Sequence, residues 1–166
     1  GVDGLTLDID KLEEQGVLSA NARTWPKGQI GCAISHLNCW KYCQKIDRPL
    51  IIFEDDACFS EGWSEQLESL IEELSIKSWD FLLLGWNHDS CLQIEWAPGL
   101  RFTALFNPRY PSFNSIQEGL NNVNNRSCMR LITGLGLAGY IIHPRIINKL
   151  ISWSMPLRTL PIKTLD

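Results

Sequence analysis

The sequence predicts one α/β domain, residues 1–166, in which helices cover a parallel or mixed sheet. Between residues 28 and 85, segments with the apolar spacing of a helix alternate with short apolar runs typical of buried strands. The length of 166 residues corresponds to a single domain that is long enough to bury a core. A composition of 45% hydrophobic and 20% charged residues is typical of a globular protein.

The first elements follow from apolar spacing and from breaker residues. Residues 1–27 show weak periodicity and several turn residues, so we expect irregular structure with one short helix at 11–15. The segment 28–46 predicts a long helix because apolar residues recur in it at helical spacing, namely Ile30, Ala33, Ile34, Leu37 and Trp40. The breaker Asp47-Arg48-Pro49 then precedes a buried strand at 50–54.

A second helix and a second strand come next, followed by a less regular region. Ser60 is predicted to cap a helix whose apolar stripe consists of Trp63, Leu67, Leu70, Ile71 and Leu74. The run WDFLLLGW predicts another buried strand. Residues 86–130 are rich in Asn, Pro and Ser, which predicts a long loop with a functional role or disorder. The run GLAGYIIHP predicts a last strand, and Pro144 the start of a last helix.

Charge, hydropathy and cysteine content narrow the class of protein. A net charge of −4 argues against a nucleic-acid partner, which requires a basic face. No apolar run reaches the roughly 18 residues of a membrane span, and no signal segment opens the sequence. Most of the six cysteines lie in apolar periodic segments, which predicts reduced, buried thiols and a cytoplasmic protein. We expect most of the seven tryptophans in the core, with one or two available to stack on a sugar.

Two motifs match known sites in letters but not in context. GLGLAG, residues 134–139, fits the G-x-G-x-x-G dinucleotide pattern, but a β-like segment follows where a helix is required, so we expect close backbone packing or a ligand approach instead. The second motif is a stripe of possible zinc ligands on the first long helix, formed by Cys32, His36, Cys39 and Cys43. At about 1.5 Å per residue this stripe would extend over roughly 16 Å, which is too long for all four side chains to bind one zinc ion. His36 keeps two interpretations, a structural histidine or an active-site residue.

The consecutive acids Glu54, Asp55 and Asp56 are the strongest candidate site. They follow a predicted central strand, at the end where ligands bind in open α/β sheets. Adjacent carboxylates repel each other unless they share a cation, and hard oxygen ligands suit Mg²⁺ or Mn²⁺, which in turn suit a diphosphate. The alternative is an exposed turn in which the acids stabilise the N-terminus of the next helix.

Several sequence blocks together resemble glycosyltransferase family 25, which contains bacterial lipooligosaccharide galactosyltransferases and has related collagen galactosyltransferase domains. The blocks are GVDGLTL, GQIGCAISHLNCWKYC, IIFEDDA, WDFLLLG and GLAGYIIHPRIINKL. The resemblance implies a GT-A-like (Rossmann-like) fold, a UDP-hexose donor such as UDP-galactose, a Mn²⁺ or Mg²⁺ cofactor, and transfer with inversion to a glycan acceptor such as lipooligosaccharide. It also implies a peripheral position at the inner face of the membrane.

The resemblance further implies roles for individual residues. Asp56 would be the first metal ligand, with Glu54 as a second, and Glu54 or Asp55 would contact the ribose of the donor or water near the metal. The residues expected near the donor pocket are Gly31, Ser35 and His36. A wall beneath the donor sugar or the acceptor would be formed by Gly134, Gly136 and Tyr140.

Two departures from the family pattern support a competing hypothesis. The family's first strand, with its NLDRSxxRR block, has no counterpart here, so we expect an N-terminally truncated domain. The family's P-x-D element corresponds to LPIKTLD, which has Lys163 at the position of the acid. Asp166 is then the candidate for that acid, at a displaced position. The general base stays open among Asp89, His88, Asp166 and Glu118. The competing function is an inactive relative that binds a nucleotide or a glycan.

Overall fold

The computed structural model describes a mixed α/β chain that divides into two compact units. The first unit comprises Gly1–Leu50 and Ile142–Asp166, and the second comprises Ile51–Ile141. The residues whose structure is described are 1–75, 78–85, 91–105, 112–121 and 128–159.

Helices and strands alternate along much of the chain. The helices are α1 (Ile9–Glu14), α2 (Lys27–Ile46), α3 (Trp63–Leu74), α4 (Phe113–Asn121) and α5 (Ile147–Ser154). The strands are β1 (Leu50–Phe53), β2 (Phe81–Gly85), β3 (Cys91–Ala97), β4 (Leu100–Leu105), β5 (Arg130–Gly134) and β6 (Gly139–Ile142). The predicted long helix at 28–46 and the strand at 50–54 are therefore confirmed to within one residue.

The core of the first unit forms around the apolar stripe of α2. Its buried members are Leu18, Ala22, Ile30, Leu37 and Leu157. Leu18 and Leu157 form a parallel β-bridge, and the backbone N–H of Leu157 donates to the Val17 carbonyl at 2.9 Å. This bridge holds the segment after α5 against the segment after α1, so residues far apart in sequence close one core.

The second unit contains two three-stranded sheets, with strand orders β1-β6-β2 and β4-β3-β5. Strand β3 pairs antiparallel with both β4 and β5. In the other sheet, the Glu54 N–H donates to the Ala138 carbonyl, and a Cβ added to Gly85 would lie 3.9 Å from the Ala138 Cβ. The ends of β1 and β2 thus meet the beginning of β6, which makes neighbouring strands antiparallel. The prediction of a parallel or mixed sheet is wrong for the described strands.

The prediction of a long loop at 86–130 is wrong for its described part. Strands β3 and β4 form a hairpin, α4 is an amphipathic helix, and Arg130 begins β5. The hairpin turns at Pro98-Gly99, where Gly99 has a φ of +81° that suits glycine.

Three smaller predictions also need correction. Helix α3 begins at Trp63 after Gly62, whose φ is +63°, while Ser60 is buried and does not cap the helix. The six cysteines are all free, as predicted, but only Cys43 is buried, and Cys32, Cys58 and Cys128 are exposed. Among the described tryptophans none is buried, since large indole rings pack at the rim of these small cores.

Candidate active site at the acidic turn

The acidic turn, which we define as Glu54–Asp56, directly follows β1. The Glu54 N–H donates to the Ala138 carbonyl at 3.0 Å, and the Ala57 N–H donates to the Glu54 carbonyl at 3.2 Å. The first bond fixes the turn against the residue that precedes β6, and the second closes it. β1 lies at one side of its described sheet, not at the centre as predicted.

The three carboxylates of the turn differ in exposure. Glu54 is half-buried, whereas Asp55 and Asp56 are exposed. Among the described residues, neither the Asp55 nor the Asp56 carboxylate has a hydrogen-bond or ion-pair partner. The carboxylates of the turn are suitable oxygen ligands for Mg²⁺ or Mn²⁺, which would also relieve their mutual repulsion. The donor set therefore fits the predicted cation in chemistry.

An aromatic cluster supports the acidic turn from both of its ends. The ring centroid of Phe53, before the turn, lies 4.8 Å from that of Phe59, after the turn, in an edge-to-face contact. The Trp63 ring contacts both, at 5.5 Å from Phe53 and 4.7 Å from Phe59. Because the two phenylalanines meet, the chain between them forms a closed loop that carries the acids at its tip.

Helix α4 holds the segment after this loop, which the sequence reasoning missed. The Gln117 side-chain N–H donates to the Phe59 carbonyl at 3.0 Å, and the Asn121 side-chain oxygen accepts from the Glu61 N–H at 3.1 Å. Gln117 and Asn121 lie one helical turn apart and therefore share a face of α4. The helical spacing of Phe113, Ile116 and Leu120 was the signal that could have found this helix.

The glycines of GLGLAG connect two strands, so the β-like segment predicted to follow them is confirmed. Gly134 ends β5 and Gly139 begins β6, with Gly136 between them at a φ of +87°. A Cβ added to Gly139 would lie 2.7 and 2.8 Å from two ring atoms of Phe53. One added to Gly134 would lie 3.2 Å from the Leu83 Cδ2. The predicted close packing is thus present, and Gly139 leaves the space in which the Phe53 ring supports the acidic turn.

Tyr140 is fully buried and stacks on Phe81, with ring centroids 5.1 Å apart and planes inclined by 22°. Its ring is therefore part of the core of the second unit. That Tyr140 and Gly134 form a wall beneath the donor sugar or the acceptor stays a prediction.

Ser35 of the first unit has a clear structural function. Its hydroxyl donates to the Gly31 carbonyl at 2.8 Å and accepts from the Val2 N–H at 2.8 Å. Gly31 faces the same segment, because a Cβ there would lie 2.8 Å from the Val2 carbonyl oxygen. These two residues hold the N-terminal segment on α2, and a contact of Ser35 with a donor stays a prediction.

The Cys/His stripe on α2 does not act as one group. His36 is half-buried, and the metal-binding atoms of Cys32 and His36 lie within 4.8 Å of each other. Cys43, by contrast, is buried, and its single S–H lies within hydrogen-bond distance of two carbonyls, those of Arg48 at 3.2 Å and Ile142 at 3.6 Å. Burial raises the pKa of the Cys43 thiol. It joins the end of α2 to the segment before β1 and to the last residue of β6.

Most candidates for the general base fall outside the described residues. Asp89, His88 and Asp166 lie there, and their assignment stays a prediction. Glu118 is described and lies exposed on α4.

Comparison with known proteins identifies the family. The family model for glycosyltransferase family 25, described as an LPS biosynthesis protein, matches residues 9–165. The chain belongs to this family. The acidic turn and the α2 residues Ser35 and His36 all fall within the match, which confirms the resemblance inferred from the sequence blocks. No solved structure is significantly similar to the chain.

Curated family 25 proteins with similar sequences include members named as active and members named as inactive. Probable inactive glycosyltransferase 25 family member 3 of Rattus norvegicus is 33% identical over 112 residues, covering 60% of this chain and 20% of that protein. Procollagen galactosyltransferase 1 of Danio rerio is 29% identical over 96 residues, covering 51% of this chain and 16% of the relative. The chain thus spans at most about a fifth of these relatives. Within the described part of the chain, no helix has the length and apolarity needed to cross a membrane.

Proposed function

We propose that this family 25 domain is a metal-dependent inverting glycosyltransferase of GT-A-like fold that transfers galactose from UDP-galactose to a glycan acceptor such as lipooligosaccharide. The acidic turn carries the proposal. It presents two exposed carboxylates, without a hydrogen-bond or ion-pair partner among the described residues, at the tip of a loop whose base is held by ring contacts and by backbone hydrogen bonds. Membership of family 25 and the procollagen galactosyltransferases among its relatives support the reaction class.

The proposed roles within the turn are those that the resemblance to family 25 implies. Asp56 is the first metal ligand and Glu54 the second, while Asp55 accepts hydrogen bonds from the ribose of the donor or from water near the metal. Bound Mn²⁺ or Mg²⁺ supplies Lewis-acid stabilisation of the negative charge on the leaving diphosphate. The turn itself needs little reorganisation, since the Ala138 carbonyl and the Phe53–Phe59 contact hold it in place before the donor binds.

The acceptor hydroxyl requires a general base, for which Asp89 and Asp166 remain the first candidates. Because the attack comes from the side opposite the diphosphate, the base belongs on the acceptor side of the sugar. Alanine substitution of each candidate, assayed for transfer and for donor hydrolysis, separates the base from residues that only bind the donor.

The proposal is tested with the metal and one pair of variants. UDP-galactose hydrolysis and transfer are measured with and without Mn²⁺ in wild type and in Asp56→Asn. We expect Asp56→Asn to reduce the Mn²⁺-dependent rate by at least about 100-fold, the order found when a group that stabilises developing charge is lost. Glu68→Gln, which changes another exposed carboxylate of the same unit, is the matched control and should retain full activity. Equal rates in Asp56→Asn and wild type would remove Asp56 from the mechanism.

A second candidate function is nucleotide or glycan binding without turnover. It is favoured by the names of the relatives in Rattus norvegicus and Mus musculus, which describe inactive family members. Calorimetric titration of UDP in the presence of Mn²⁺, combined with the UDP-galactose hydrolysis and transfer assays, distinguishes the two functions. Binding without hydrolysis or transfer supports the second, whereas binding with turnover supports the first.

The proposal also covers the identity of the acceptor and the cellular location of the protein. Lipooligosaccharide is the first acceptor to assay, given the LPS description of the family, and procollagen is the second, given the names of the relatives. The free state of the six thiols is compatible with a cytoplasmic site at the inner face of the membrane.

A further inference from the structure

Trp63 stands out because it is both well supported and accessible. Its ring is held by edge-to-face contact with Phe53 at 5.5 Å and by a tilted contact with Phe59 at 4.7 Å. Even so, 37% of Trp63 remains exposed to solvent. A side chain that is held by ring contacts and is still partly exposed is well suited to binding, because little conformational entropy is lost when a ligand stacks on it.

The position of Trp63 relative to the acids follows from the same contacts. Phe53 directly precedes the acidic turn, and Phe59 follows it by three residues. Trp63 touches both phenylalanines and therefore lies at the base of the loop that carries Asp55 and Asp56. The Gln117 bond to the Phe59 carbonyl fixes this end of the loop, so the spacing between ring and acids is maintained.

We propose that the Trp63 indole binds the apolar C–H face of the donor hexose. The inference rests on the proposed function, in which the acidic turn holds the metal and diphosphate of the donor. The diphosphate is bonded to the hexose on one side and to the ribose on the other. The proposed function assigns the ribose to Asp55, which leaves the hexose for the ring at the base of the loop. A hexose presents one face of C–H groups, which stacks on a flat aromatic ring in the way that apolar groups pack on indole.

Another exposed tryptophan serves as a matched control. Trp96 is 63% exposed and lies in β3, where its ring contacts Phe102 at a centroid distance of 6.1 Å. It has the same chemistry as Trp63 and belongs to the same unit, but its ring contact is with the hairpin and not with the loop that carries the acids.

The test compares two ligands that differ only in the hexose. Binding of UDP-galactose and of UDP, each with Mn²⁺, is measured by calorimetry in wild type, Trp63→Leu, Trp63→Phe and Trp96→Leu. We expect Trp63→Leu to weaken UDP-galactose binding by about five- to tenfold, the effect of one aromatic contact, and to leave UDP binding within about twofold. Trp63→Phe should recover part of the loss, and Trp96→Leu should change neither ligand.

A second measurement uses the wild-type protein, so that its result does not depend on whether the Trp63 variants fold. With 5-fluorotryptophan incorporated, the ¹⁹F resonance of Trp63, assigned by Trp63→Phe, should shift with UDP-galactose and stay in place with UDP. If Trp63→Leu weakens the binding of UDP and of UDP-galactose equally, or changes neither, the contact between Trp63 and the hexose is overturned. The proposed donor site at the acidic turn is not affected by that result. Absence of binding of both ligands to the wild type would overturn the proposed function and this inference together.

Discussion

Replacing Gly31 by alanine tests whether the N-terminal segment is packed on α2 as tightly as the structure describes. Gly31 lies within α2, where alanine ordinarily stabilises a helix by about 1 kcal/mol relative to glycine. Here the added Cβ would lie 2.8 Å from the Val2 carbonyl oxygen and 3.0 Å from the Gly4 Cα. Both contacts are with backbone, so the N-terminal segment must move away from the helix.

The magnitude follows from three contributions. Overpacking of a close contact costs about 1–3 kcal/mol, and loss of the Val2 N–H bond to the Ser35 hydroxyl costs about 1 kcal/mol more. The gain in helix propensity offsets about 1 kcal/mol of this. We therefore expect Gly31→Ala to lower the free energy of unfolding by about 1–3 kcal/mol, and the melting temperature by about 2–12 °C for a chain of this size.

Urea unfolding followed by circular dichroism measures the effect, with Gly28→Ala as the matched control. Gly28 lies in the same helix, but a Cβ there would have no heavy atom within 4 Å. We expect Gly28→Ala to leave the free energy of unfolding unchanged or to raise it by up to about 1 kcal/mol. If Gly31→Ala is as stable as Gly28→Ala, the packing of the Val2 segment on α2 is refuted.

Two further predictions concern close packing and ionisation. Gly139→Ala should lower the free energy of unfolding by about 1–3 kcal/mol, because its Cβ would lie 2.7 Å from the Phe53 ring, and Phe53→Leu should offset part of this loss in the double variant. Burial raises the pKa of the Cys43 thiol, so its stabilising contribution should be complete below about pH 8.5 and be lost as the pH rises through the pKa of the folded state. The wild type should therefore lose more stability than Cys43→Ala between pH 8 and 10 in thermal melts.

Each of these two predictions has a clear contrary result. Additive losses in the Gly139→Ala/Phe53→Leu double variant would mean that the two residues do not interact. Parallel stability curves for wild type and Cys43→Ala across the alkaline range would mean that the Cys43 thiol does not titrate differently in the folded and unfolded chain.

Local sequence patterns were sufficient to predict the helices and strands that depend mainly on residues close in sequence. The apolar spacing of α2 and the short apolar run of β1 were sufficient because each pattern repeats within a few residues. The acidic turn was also evident, since three consecutive acids after a buried strand are unusual whatever the rest of the fold. The blocks around Gly31 and Glu54 led to family 25, which the comparison confirms.

Other features depend on partners that are distant in sequence, and only the tertiary structure decided them. Antiparallel pairing of β1 and β6 depends on contacts across more than 80 residues, and Ser35 has its partner at Val2. The same holds for Gly139, whose missing side chain leaves room for the Phe53 ring. The sequence by itself determined which carboxylates this protein presents. How Phe53, Phe59 and α4 hold them was decided by tertiary packing, because no local pattern encodes which distant surfaces will meet.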